Sequence, residues 1–204
     1  MRFSPREVVD LVAAWLALGV AFTFFLDRRL AFGLLSGSVA PLQAADTLVV
    51  SMLTVGIGFL LHELAHKVVA VRFGQLAEFR ADYGMLALAI GAGLAGFLFA
   101  APGAVYHGGR PVTSRQVGLI ALAGPATNVL LAGLFVPLLA VGPLVGVGQL
   151  GVTINLILAG FNMIPFGPLD GRKVLSWNSL VFALSFVVCA GLALFSLVFV
   201  GTGF

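Results

Sequence analysis

Six apolar stretches, approximately 8–26, 47–66, 84–100, 114–140, 147–165 and 177–200, divide the chain, and most of its charged residues fall between them. All but 84–100 approach or exceed the roughly 20 residues that a helix needs to cross a bilayer. Segment 84–100 is shorter and rich in glycine, and it runs into Ala101-Pro102-Gly103-Ala104-Val105-Tyr106. That continuation reads as extended chain broken by a turn. The pattern predicts an all-α polytopic membrane protein with five to six transmembrane helices and a re-entrant or extended segment near 84–110.

Charge placement bears on whether 84–100 crosses. If it dips and returns, with the N-terminus inside, then Arg2, Arg6, Lys67, Arg72, Arg80, Arg110, Arg115, Arg172 and Lys173 share the cytoplasmic side. Only Arg28 and Arg29 lie outside. If it crosses as one more span, Arg110, Arg115, Arg172 and Lys173 move outside and the asymmetry vanishes. The positive-inside tendency favours the dip, and a dipping backbone must be satisfied by protein or by a watery cavity. A crossing helix followed by a returning extended segment would keep the same sides.

Composition agrees. Of 204 residues, 60% are hydrophobic and 9% charged, against about 25% charged in ordinary soluble domains. Once the spans are counted, no room is left for a second folded domain, so 1–204 reads as one integral membrane domain. Arg2 and Arg6 precede an apolar run with no evident small-residue cleavage site, so that run is taken as a retained first span. The net charge of +3 is scattered along loops and gives no argument for nucleic acid. Cys189 is the one cysteine, which rules out an intrachain disulfide and leaves it a packing role.

The chemistry sits at the end of an apolar run, in His62-Glu63-Leu64-Ala65-His66. Three polar side chains in five positions of a membrane helix are costly unless they bind something or line a wet cavity. His62 and His66, four residues apart, project from nearly the same helix face. Two imidazoles placed in this way can grip one zinc ion, and Glu63 is near enough to act on a metal-bound water. A structural histidine pair donating to backbone carbonyls is the plainer alternative.

Zinc sites commonly take a third protein ligand, often a carboxylate, and keep the fourth position open. Only Glu63 and Asp170 lie near the ends of later spans; the other acids fall in predicted loops or at the entrance to the first span. Asp170 follows Phe161-Asn162-Met163-Ile164-Pro165-Phe166-Gly167-Pro168-Leu169, whose prolines and glycine cannot sustain a helix. The span should unwind near Ile164, as helices do at membrane-embedded cavities and sites. Taken alone, Asp170 is equally well a solvated cap of a cytoplasmic turn. Sidedness favours the ligand: in the five-span topology this span and the histidine helix run the same way.

Together, His62-Glu63-Leu64-Ala65-His66 and the N-P-D-G-like stretch from Asn162 to Gly171 resemble the site-2 protease family of intramembrane zinc metalloproteases. Gly124-Pro125-Ala126-Thr127-Asn128 is similar to that family's G-P-x-x-N element on an intervening core helix. The resemblance covers roughly 47–175, which would be the catalytic core. It implies His62, His66 and Asp170 as ligands of one Zn2+ and Glu63 as general base. For Asn162 it implies a substrate-binding or oxyanion-stabilising role. The chain looks like a minimal member, without an inserted PDZ domain.

The implied substrate is the transmembrane helix of another membrane protein, cut at a peptide bond within or near the bilayer. The implied setting is the cell membrane, multi-pass and in contact with lipid, with the N-terminus and the active-site side cytoplasmic. The region around Ala101 to Tyr106 would offer a strand edge to an unwound substrate. A heat-shock or CAAX-type zincin would need a glutamate ligand in a more polar domain. A membrane metal transporter or channel would need further ligands along the spans, yet His107, the one remaining histidine, sits in a predicted loop. Nothing in the sequence speaks to oligomeric state.

Overall fold

Ser4 starts the first helix: its hydroxyl accepts from the Glu7 N–H, and Pro5, whose missing N–H costs nothing there, occupies the first turn. The computed structural model describes residues 2–38, 41–97, 102–109 and 111–203. Arg110, used in the charge argument, and 98–101, the start of the expected extended segment, lie outside these. The elements are α1 (Pro5–Leu26), α2 (Arg28–Ser36), α3 (Pro41–Ser51), a π-turn (Met52–Gly56), α4 (Ile57–Arg72), β1 (Leu76–Ala81), α5 (Tyr83–Ala95) and β2 (Gly103–Gly108). The chain continues through α6 (Ser114–Phe135), two 3-10 turns (Val136–Ala140 and Gly142–Leu144), α7 (Val145–Asn162), α8 (Asp170–Trp177), α9 (Ser179–Phe195) and a final π-turn (Ser196–Val200).

Among the described residues, five helical runs have the length and hydropathy to cross a membrane: Pro5–Leu26, Ala44–Arg72, Ser114–Ala140, Gly142–Asn162 and Ser179–Val200. The protein is therefore a multi-pass membrane protein, with five candidate spans among the described residues. The sixth apolar stretch forms α5. Its 13 residues reach only about 20 Å at a rise of ~1.5 Å per residue, short of a ~30 Å hydrocarbon core. Asp82 caps its start, accepting from Met85 N–H, and Gly96, at φ 78°, ends it in a left-handed conformation that glycine adopts without strain. The Asp82 N–H donates to the Pro102 carbonyl at 3.0 Å, so the chain enters and leaves this excursion at one place.

The extended segment is half of a β-hairpin. β2 pairs with β1 in a two-stranded sheet. Glu78 lies in β1 and His107 in β2, where the sequence predicts loops. β1 escapes the sequence reading because only Glu78-Phe79-Arg80 alternates in polarity within its six residues, too short a run to stand out between the apolar spans. Lys67, counted on the cytoplasmic side in the charge argument, belongs to α4 and is 1% exposed.

The described residues form two compact units, and the chain passes between them more than once. The first contains Arg2–Leu60 and Phe79–Ala104. Here α1 packs against α5, α3 and the first π-turn. A Cβ at Gly93 would collide with the Ala21 carbonyl, which is why a glycine-rich α5 can lie directly on α1. Trp15 Nε1 donates to the Met52 carbonyl at 3.1 Å, satisfying backbone at the π-turn. At the entrance to α1, Glu7 Oε1 accepts from the Phe79 N–H at 3.0 Å and Asp10 accepts from the Tyr83 hydroxyl at 2.7 Å. These buried carboxylates fasten β1 and the start of α5 to α1.

The second unit contains Leu61–Glu78 and Val105–Gly203. α6 packs along α7 and under α8, and α7 along α9. Its core gathers Ala121, Ala159, Met163, Val174 and Cys189, with Trp177, Phe182 and Phe186 against them. Cys189 thus has the packing role expected of it. A Cβ at Gly118 would run into the Trp177 ring, so α8 can sit close on α6 only because that position is bare. This close seat fixes where α8 begins, and α8 begins at Asp170.

Candidate metal centre

The second unit holds a cluster of buried polar side chains that its helices bring to one point. On α4, the rings of His62 and His66 stand one turn apart, 4.7 Å between centroids and perpendicular at 89°. Their Nε2 atoms are 3.0 Å apart. The span of α7 unwinds after Asn162, as predicted, through a run in which Gly167 takes φ 59°. The chain then turns into α8, and a Cβ at Gly171 would collide with the Met163 carbonyl, so glycine is required for the turn to close. Asp170 enters the cluster from this turn. Its Oδ2 lies 3.3 Å from His62 Nε2 and 3.1 Å from His66 Nε2.

Asp170 is not a solvated cap. It is 3% exposed, and Leu169 holds the cap position with no side-chain bond. Lys173, one turn along α8, donates from Nζ to Oδ1 at 3.2 Å. One carboxylate oxygen therefore meets the lysine and the other meets the two imidazoles.

The far ring nitrogens decide what the near ones carry. His66 Nδ1 lies 2.7 Å from the Ile120 carbonyl, which can only accept, so the proton is on Nδ1. His62 Nδ1 lies 2.6 Å from Asn128 Oδ1, an acceptor as well. Both neutral rings thus turn a bare Nε2 lone pair toward the other and toward an anionic oxygen. Three electron-rich atoms about 3 Å apart repel unless a cation lies among them. A tetrahedral ion with ligands at roughly 2.0–2.2 Å would separate those ligands by about 3.3–3.6 Å, close to the 3.0–3.3 Å found. The donor set therefore fits a divalent metal ion.

Glu63 completes the group. It is 8% exposed, and its carboxylate lies with both histidines in one set whose ligand atoms are within 4.8 Å of each other. Asp170 is the better third ligand, because a single oxygen of it contacts both Nε2 atoms. Glu63 lies beside this trio. Space for the rings comes from α6: a Cβ at Gly124 would come to 2.5 Å from His62 Nε2 and 2.6 Å from His66 Cε1. Of the residues named from the sequence, His62, Glu63, His66 and Asp170 converge. Asn162 is not among the contacting groups; its side-chain amide donates to its own helix, at the Leu158 carbonyl. The sequence reading attached no role to Asn128 beyond its motif and passed over Asn155, which donates to nothing exposed and is fully buried on α7. A polar residue in the middle of an apolar span was the signal for both.

The arrangement is that of a membrane-embedded metal-dependent hydrolase. Similarity to known proteins points the same way. "Putative zinc metalloprotease MJ0611" of Methanocaldococcus jannaschii is 40% identical over 188 residues, covering 90% of this chain and 90% of that protein. "Putative zinc metalloprotease Rip3" of Mycobacterium tuberculosis is 34% identical over 122 residues, 56% of this chain and 27% of the relative. No known protein-family profile matches the chain, and no solved structure matches it. With its two zinc-type motifs and this likeness along nine-tenths of its length, the chain belongs to the site-2 protease family of membrane zinc metalloproteases.

Proposed function

We propose that this protein is an intramembrane zinc endopeptidase that cuts a peptide bond within or near the transmembrane helix of another membrane protein. The observation that carries the reading is the meeting of His62 Nε2 and His66 Nε2, on a helical run long enough to span a bilayer, with Asp170 Oδ2 at the start of α8, beside a buried Glu63. His62, His66 and Asp170 would hold one Zn2+, which when bound supplies positive charge to polarise a water and the scissile carbonyl. Two neutral imidazoles and one carboxylate would cancel only part of that charge.

Glu63 takes the proton of the attacking water and delivers it to the leaving amide nitrogen. Lys173 neutralises the outer oxygen of Asp170 and keeps the carboxylate turned in one direction. Asn162, at the end of α7, donates to the developing oxyanion once it releases Leu158.

The substrate must unwind before its carbonyl can be attacked, because an intact helix hides that group in its own hydrogen bonds. β2 pairs with β1 along one edge, and its other edge receives the unwound strand by β-addition. The N-terminus, the 163–178 segment and the turn that follows Arg72 face the cytoplasm, in keeping with Arg2, Arg6, Arg72, Arg172 and Lys173.

The test is Glu63→Gln in detergent or proteoliposomes, with metal analysis and cleavage of a membrane-peptide substrate run on the same preparation. One zinc per chain retained with cleavage lost is the expected result. Zinc uptake into vesicles by both proteins, with no cleavage by either, would replace the protease reading with metal transport.

A further inference from the structure

The amide side chains behind His62 form a chain in which each hydrogen-bond direction is forced by the one before. Asn155, on α7, has its Nδ2 2.9 Å from the Gly151 carbonyl, and a backbone carbonyl can only accept. The Asn155 amide is therefore oriented with Oδ1 toward Asn128, and the group it meets there at 2.9 Å must be the donor, Nδ2 of Asn128. That leaves Asn128 Oδ1 facing His62 Nδ1 at 2.6 Å, where the ring must supply the proton. The direction is thus transmitted from a backbone carbonyl of α7, through α6, to a ring on α4. Asn128 and Asn155 are both 0% exposed, so no water competes at any link.

We propose that Asn128 and Asn155 are positioning residues, a neutral amide relay that locks His62 as the Nδ1–H tautomer and aims its Nε2 at Asp170 before any metal arrives. This rests on the metalloprotease reading for its purpose but not for its geometry. The two histidines are held differently. His66 is tied to a main-chain carbonyl, at Ile120, which no side-chain substitution removes. His62 depends wholly on side chains, and so is the ligand that mutation can loosen.

An amide here, rather than a carboxylate, has a chemical consequence. A carboxylate behind a ligand imidazole raises its basicity and adds negative charge to the site. The Asn128 amide orients the ring while adding no charge. It leaves Asp170 as the one anion among the three ligand groups.

The decisive measurement needs no activity. In metal-free protein labelled with 15N-histidine, His62 should show the Nδ1–H tautomer, and Asn128→Leu should convert it to a mixture of tautomers while His66 is unchanged. Zinc affinity by chelator competition should fall about 10–100-fold in Asn128→Leu. Asn155→Leu, which keeps Asn128 but removes its anchor, should give a smaller fall in the same direction. Asn128→Asp should restore affinity to the parent level or above, because the carboxylate also accepts from Nδ1. If Asn128→Leu does not fold, Asn155→Leu and Asn128→Asp carry the same comparison.

A folded Asn128→Leu or Asn155→Leu protein with parental tautomer and parental zinc affinity overturns the relay. If the parent shows the Nδ1–H tautomer yet takes up no zinc, the relay stands and the metalloprotease reading fails.

Discussion

At the scale of single residues the site is built as much by what is missing as by what is present. Gly124 contributes no side chain, and the rings of His62 and His66 occupy the space a methyl would need. Gly124→Ala should displace both rings, cost about 1–3 kcal/mol of stability from overpacking, and lower zinc occupancy in metal analysis of protein that still folds. A substitution of similar size at Gly133, where a Cβ meets nothing, should leave zinc content at the parental value. Asn162 predicts the opposite split. Its side chain touches none of the ligand groups at rest, so Asn162→Ala should keep its zinc. If it serves the oxyanion, kcat should fall about 10²-fold, the ordinary effect of removing one such donor (~3 kcal/mol). Steady-state kinetics beside metal analysis separate the two variants.

The elements show how a membrane chain arranges polar work. α4 carries the histidines in an unbroken helix, whereas Asp170 arrives on a chain that unwinds over seven residues between α7 and α8. That difference was legible beforehand: a period of four in an apolar run, and prolines with glycine before the aspartate. The β-hairpin was half legible. Residues 103–106 read as extended, but their partner β1 did not, because a strand of mixed polarity acquires its identity only when it finds an edge to pair with. Gly103, at φ 151° with its missing Cβ directed at the Arg80 carbonyl, is the position that lets the two strands meet. Gly103→Val should disturb this pairing and lower cleavage through a raised KM, with zinc content unchanged. Cleavage indistinguishable from the parent would remove the hairpin from the substrate-binding role.

At the scale of the whole molecule, five helical runs among the described residues are long and apolar enough to span; α5 is too short, and the hydrogen bond between Asp82 and Pro102 brings the chain back to where α5 begins. On the orientation proposed above, single cysteines introduced in a Cys189→Ser background should label with an impermeant reagent from the cytoplasmic side at Ser4, Gly74 and Gly167. A cysteine at Ser36 should label only from outside. Labelling of Gly167 and Gly74 from opposite sides would separate Asp170 from the histidines in topology and contradict the site.

The sequence by itself determined the membrane class, the helix that carries His62, Glu63 and His66, and the break that frees Asp170. Each is a local or periodic property: hydropathy over about 20 residues, a turn of about 100° per residue, and the ring of proline. Only the tertiary structure decided which atoms meet. Bringing Asp170 Oδ2 to both imidazoles, baring Gly124 beneath them and lining up Asn155 behind Asn128 all depend on the packing of α4, α6, α7 and α8. Hydrogen-bond direction between distant side chains leaves no trace in spacing along the chain, because it is set by distances between helices rather than by positions within one.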